Sequence, residues 1–322
     1  MRSRLVKALT YAVGFATVGA MVIYLVNQRD LMDHLRAISL PQLALLTAVT
    51  VAGSINFGTR FRGICEVFDV RLTHLEALGL AMTNSMLNYA IPLKGGMVLR
   101  AAYMKQRFGL TYTDYGALLA SSQLLALAVA GVGGLFWSLI AFAVDGVSSA
   151  GLIVVFVGSV IASVALFAVV DFFDFTRIRP AAVGQRLQAF SRGFSEWRRR
   201  PWSILRFSAS AMLAIAISGL RLIIVFAALG FDAPPLVLMV VASAVWLSGT
   251  IPITPGNLGI AEGVIALTAG LLGIDPRLAL LAALVERATG LIVVFAMGVP
   301  FSSTLLLRTP AHDAPDDPEV GP

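Results

Sequence analysis

The sequence predicts an all-α, polytopic membrane protein, and three observations carry that prediction. Charged residues make up only 13% of the 322, against 58% hydrophobic, where a soluble domain averages about 25% charged. The apolar residues fall in long runs, at 8–26, 41–57, 114–142, 147–170, 207–230, 235–251, 257–273 and 278–306. A helix rising about 1.5 Å per residue needs about 20 apolar residues to cross a bilayer, and no segment alternates as a membrane β-strand would.

Charge placement orders these runs. With Arg2, Arg4 and Lys7 inside, 8–26 leads out as an uncleaved first span, because no small-residue cleavage site follows it. Span 41–57 returns to Arg60, Arg62 and Arg71. A crossing at 75–91 would then leave Lys94, Arg100, Lys105 and Arg107 outside, against the positive-inside rule. A re-entrant hairpin turning at "PLKGG" (92–96) keeps Lys105 and Arg107 inside. Spans 114–142 and 147–170 go out and back to a cytoplasmic Arg-rich loop, 171–206, with eight arginines at 177–206 against Glu196 alone. Arg198, Arg199 and Arg200 with Trp197 and Trp202 suit either a membrane edge facing anionic headgroups or a topology signal. The net charge of +6 is therefore a membrane feature, and nucleic acid is not expected as a partner.

Span 207–230 leads out, and 235–251 with 257–273 forms a second hairpin entering from the other face, broken by "IPITPGNLG" (251–259). Span 278–306 ends inside, followed by a disordered cytoplasmic tail, 309–322. The expectation is one transmembrane domain, 1–308, of about six full spans plus two re-entrant hairpins in an inverted repeat. Transporters use such repeats to place a site near the bilayer midplane.

The hairpin tips share a chemistry. "NYAIPLKGGMVLR" (88–100) and "GTIPITPGNLGIAEG" (249–263) each carry proline, a glycine-rich turn and a charged side chain in the helix that follows. Irregular backbone costs several kcal/mol per unpaired group in hydrocarbon, so it belongs where protein or a polar cavity satisfies it. Arg221, Glu286 and Arg287 interrupt other apolar runs, and charges at such depth face a partner or a cavity. Glu286 and Arg287 point about 100° apart on a helix, so each needs a partner elsewhere. The economical arrangement gathers Arg100, Arg221 and Arg287 against Glu262 and Glu286, with the positive excess matched by an anionic headgroup through bidentate arginine donors. Internal ion pairs locking helices together are the alternative. Asn84, Asn88, Thr254 and Asn257 add hydrogen-bonding groups near the tips.

Other chemistries find little support. Cys65 is the single cysteine, and His34, His74 and His312 lack zinc-ligand spacing. No nucleophile elbow, phosphate loop or dinucleotide fingerprint is present. No cofactor or metal is expected, and no enzyme activity.

Asn88, Pro92, Gly95, Gly96 and Arg100 spell N-x3-P-x2-G-G-x3-R, while Pro252, Pro255, Gly256, Gly259 and Glu262 spell P-x2-P-G-x2-G-x2-E. With the late Arg287, these motifs resemble the lysylphosphatidylglycerol synthase transmembrane family, a flippase-like domain family, over roughly 8–306. The resemblance implies movement of phospholipid between leaflets, with a phospholipid or lipid-linked substrate bound at the residues just named together with Arg221 and Glu286. Full-length synthases append an aminoacyl-transferase domain, which is not expected in these 322 residues. Met97 stands where members often carry an acidic residue, which weakens the expectation of a cationic lipid. The resulting expectation is a lipid flippase or lipid-linked intermediate transporter of the bacterial inner membrane, with both termini cytoplasmic. The alternative is a non-catalytic accessory subunit of an envelope lipid- or glycan-modifying enzyme, docked through the Arg-rich loop. A homo-oligomer fits either.

Overall fold

Helices α1 (Leu40–Val67), α4 (Tyr112–Asp145), α5 (Ala150–Val169), α7 (Pro201–Ala228) and α10 (Pro276–Arg308) form the frame of the computed structural model. It describes residues 34–36, 38–90, 95–169, 181–250 and 254–308. Each of the five contains a segment long and apolar enough to cross a membrane, and the described residues contain no strand. The expected first span, the tail, and the tip residues Pro92 and Lys94 lie outside the described residues.

Local chemistry sets the helix limits. Thr111 Oγ1 accepts the Asp114 N–H at the start of α4, and Gly146, with φ of 67°, closes its end. Proline opens α7, where its missing N–H costs nothing. That places the start of α7 at Pro201, six residues before the apolar run begins, so Arg206 and Trp202 are helical.

Four shorter helices make the two hairpins: α2 (His74–Ala90) with α3 (Gly95–Phe108), and α8 (Pro235–Gly249) with α9 (Ile260–Leu271). At 17, 14, 15 and 12 residues, each is shorter than the about 20 residues that typically cross a bilayer. α2 packs on α3, and α8 on α9.

The α1–α7 pair reveals how the hairpins are opposed. Glu66 bonds Arg206, Asn56 bonds Ser210, and Gly53 faces Ile217, so the two helices run antiparallel. The first hairpin opens from the end of α1, whereas the second opens from the end of α7. Those are opposite ends of the pair. The hairpins thus insert from opposite sides, and their tips touch where Tyr89 of α2 lies against Gly256.

Small residues allow the close approaches. A Cβ at Gly131 or Gly134 of α4 would overlap α5, and one at Gly96 would overlap the Asn84 backbone. Apolar packing among α7–α10 centres on Phe226, Val241, Ala242, Ala282 and Ala283.

The expected Arg-rich loop is largely helical: Ala181–Arg199 form α6, lying across α4. Val183, Leu187, Phe190, Phe194 and Trp197 recur at helical spacing between the arginines. Phe194 and Trp197 are buried, and the Trp197 indole donates to Ser121 Oγ at 3.2 Å. Trp197 is therefore a packing residue instead of a membrane-edge one, while Trp202 is 69% exposed.

Candidate functional site

The second tip is built from left-handed backbone. Gly256, Asn257 and Gly259 have φ of 58°, 58° and 79°, a region open to glycine and tolerated by asparagine. A short 3-10 turn at Pro255–Asn257 precedes α9, and Thr254 Oγ1 donates to the Leu258 carbonyl at 2.7 Å. The carbonyls that such a turn releases need donors at this depth, and one side chain supplies them. Arg287 donates through Nη1 to the Gly256 carbonyl at 2.8 Å and through Nη2 to the Asn257 carbonyl at 3.3 Å.

The same guanidinium ties the tip to its neighbours. Its Nε meets Glu262 Oε1 at 2.5 Å, and its Nη1 donates to Tyr89 Oη at 2.9 Å. Glu262 is only 1% exposed, and its second oxygen accepts the Gly259 N–H at 2.8 Å. Arg287 thus joins α10, the second tip and the end of the first hairpin helix. It lies eleven residues into α10, about 16 Å along it, near half the thickness of a hydrocarbon core.

Glu286 finds its own partner, as the angle between adjacent helical residues requires. Arg221 of α7 meets Glu286 Oε1 at 2.8 Å, with both side chains under one-fifth exposed. Between the two pairs lies a cavity of about 20 Å³, lined by Ser218, Leu222, Val245, Glu262, Glu286 and Arg287 among others. That is room for one water.

Arg100 stands apart from both pairs. It is 6% exposed, and its guanidinium lies 4.1 Å from the Phe61 ring centroid while Nε donates to Tyr115 Oη at 2.5 Å. Its partners are on α1 and α4, and none of them is a carboxylate. The single cluster expected from sequence is therefore two ion pairs plus a separate aromatic-held arginine. Gly95 and Gly96 start α3, with Gly96 pressed on Asn84. The Oδ1 atoms of Asn84, Asn88 and Asn257 are buried without a hydrogen-bond partner.

Tyr89, Ser218, Phe61 and Tyr115 escaped sequence reasoning. Tyr89 neighbours Asn88 in the first motif and Phe61 lies between Arg60 and Arg62, while Ser218 and Tyr115 carry no local signal.

Two opposed helical hairpins meeting around buried charges define a polytopic α-helical membrane protein with a polar centre. A family model described as the lysylphosphatidylglycerol synthase TM region matches residues 10–298, and the chain belongs to that family. Comparisons with curated proteins and with solved structures found no match.

Proposed function

We propose that this chain moves a phospholipid or lipid-linked intermediate across the bacterial inner membrane, recognising the headgroup near the hairpin tips. The supporting observation is the meeting of two broken helix pairs, inserted from opposite sides, around Arg287, Glu262, Arg221 and Glu286. Inverted repeats of this kind allow one half to rock against the other about a fixed midplane site. On this reading Asn88, Gly95, Gly96, Pro255, Gly256 and Gly259 shape the walls, and Arg100 provides positive charge that no carboxylate offsets among the described residues. The function is transport without covalent chemistry, driven by a gradient, a partner or downhill equilibration.

The test is transbilayer movement of fluorescent phospholipid in liposomes holding the pure protein. Movement well above protein-free vesicles, selective between headgroups and reduced in Arg287→Ala, is expected. A rate equal to protein-free vesicles for every lipid class overturns the reading.

A second reading is an accessory subunit for an envelope enzyme. It is favoured by the outward basic face of α6 and α7, where the Arg192, Arg199 and Arg206 side chains are 66%, 76% and 59% exposed. Neutralising these three residues would then abolish co-purification of the enzyme and leave lipid movement intact.

A further inference from the structure

Each interior arginine on α7 and α10 has a carboxylate: Arg221 has Glu286, and Arg287 has Glu262. Two others have none among the described residues. Arg60 of α1 places its guanidinium 4.7 Å from the Trp246 ring centroid and 5.5 Å from that of Phe57. Arg100 of α3 is held 4.1 Å from Phe61 and 5.8 Å from Tyr115. In both residues Nη1 is enclosed and lacks a hydrogen-bond partner.

These arginines occupy one level of the molecule. Phe57 and Phe61, four residues apart, share one face of α1, and Arg60 packs on the first while Arg100 packs on the second. Through Trp246, Arg60 abuts the last turn of α8, just before the second tip. Arg100 lies in the second turn of α3, just after the first tip. One turn of α1 thus touches both hairpins and carries a guanidinium toward each.

Stacking on an aromatic ring holds a guanidinium's plane while leaving its donor fork free for an anion. An enclosed N–H without an acceptor is costly, and two such groups packed on one stretch of α1 with no countercharge among the described residues are explained by a ligand that is itself an anion. We propose that Arg60 and Arg100 form a phosphate-binding pair, separate from the Arg287–Glu262 and Arg221–Glu286 pairs. The ligand is a phosphate-type anion, either the phosphodiester of a lipid headgroup or a free diphosphate. This deepens the transport reading and rests on it for the lipid source. Because both Nη1 atoms are enclosed here, the anion reaches them in a conformation where α3 or α8 has drawn back from α1. Binding and hairpin movement are then coupled, as a carrier requires.

The experiment uses the full chain in phosphatidylcholine nanodiscs, as wild type, R60Q, R100Q, R60Q/R100Q, R60K and R100K. Two probes are measured: retention of phosphatidylglycerol over phosphatidylcholine by native mass spectrometry, and binding of inorganic pyrophosphate by calorimetry. Each Gln variant is expected to weaken phosphate binding about tenfold or more, the loss of one charge-assisted contact. The Lys variants, which keep the charge, retain part of it and serve if a Gln variant does not fold. Loss of the phosphatidylglycerol preference assigns the pair to a lipid headgroup. Loss of pyrophosphate binding without any lipid preference assigns it to a free anion. Either supports the pair, whereas both probes binding R60Q/R100Q as they bind wild type overturns it. Liposome transport separates the two claims: phosphate binding at the pair without lipid movement by wild type removes transport and keeps the pair. Undiminished movement by R60Q/R100Q, with both probes bound as in wild type, keeps transport and removes the pair.

Discussion

Arg287 and Glu262 are joined at 2.5 Å across 25 residues of sequence, and that contact ties the second hairpin to α10. Glu262 is buried and also accepts the Gly259 N–H, so its two oxygens serve two separate duties. Glu262→Gln keeps one acceptor oxygen for two donors, so it loses the charge and turns an NH2 toward either the Gly259 N–H or the Arg287 Nε–H. Glu262→Ala strands a buried guanidinium, a change that costs about 3–5 kcal/mol where it has been measured. Thermal unfolding in detergent should rank wild type, Gln and Ala in that order, with the larger drop at Ala. A charge swap, Glu262→Arg with Arg287→Glu, should not rescue. A glutamate at 287 would face the carbonyls of Gly256 and Asn257 that Arg287 now satisfies. Recovery of stability in the swapped protein would mean that the pair acts as charge alone.

Gly256 is constrained twice. Its φ of 58° disfavours any side chain by about 1–2 kcal/mol, and a Cβ there would overlap the Tyr89 ring, adding an overpacking cost of about 1–3 kcal/mol. Gly256→Ala should therefore destabilise the protein, and adding Tyr89→Ala should relieve only the overlap. Thermal shifts of the single and double variants give the split. A double variant as stable as Tyr89→Ala alone would show that the backbone conformation costs nothing.

The sequence announced the hairpins because prolines and glycines have few uses inside an apolar run, and Gly256 and Gly259 do adopt positive φ. Glu286 and Arg287 likewise announced two separate partners through their angle on a helix. Which partners they would take was hidden, since nothing local links Arg287 to residue 262, or Glu286 to Arg221. Arg100 was grouped with the carboxylates because charge is visible in sequence while a stack on Phe61 is not. Arg60 read as a topology signal for the same reason. α6 was hidden because its four arginines, Arg186, Arg192, Arg198 and Arg199, obscure five apolar residues at helical spacing.

Trp197 docks α6 onto α4, being fully buried with its indole N–H on Ser121. Gly193 lies directly on the Ala117 carbonyl, leaving no room for a side chain. Trp197→Ala removes a large buried ring, with a typical cost of about 3–5 kcal/mol. Ser121→Ala leaves the indole donor unpaired, at about 1–3 kcal/mol. Hydrogen exchange over 188–199 should rise strongly in Trp197→Ala and modestly in Ser121→Ala, with α7–α10 unaffected. Equal protection of α6 in wild type and Trp197→Ala would mean that the ring contributes nothing to docking.

Asp275, in the turn between α9 and α10, accepts the backbone N–H of Arg277 at 2.8 Å and pairs with its guanidinium at 2.8 Å. The guanidinium hydrogen bond first, and the backbone N–H second, hold this carboxyl below the usual aspartate range. A carboxyl depressed in the folded state contributes stability that is fully present above its unfolded value of about 3.9, and that is lost as pH falls through the folded one. The pair is solvent-exposed, with side chains 56% and 33% accessible, so its worth is that of surface pairs, about 0.2–1 kcal/mol. Asn is also a good helix cap, so Asp275→Asn isolates the charge. The difference in unfolding temperature between wild type and Asp275→Asn should stay constant from pH 7 to about 5 and close as the pH drops below about 4. It should also narrow in 1 M salt at pH 7, where the screening length falls to about 3 Å. A difference that persists unchanged at pH 3 would assign the role of Asp275 to its shape as a cap, with no part for its charge.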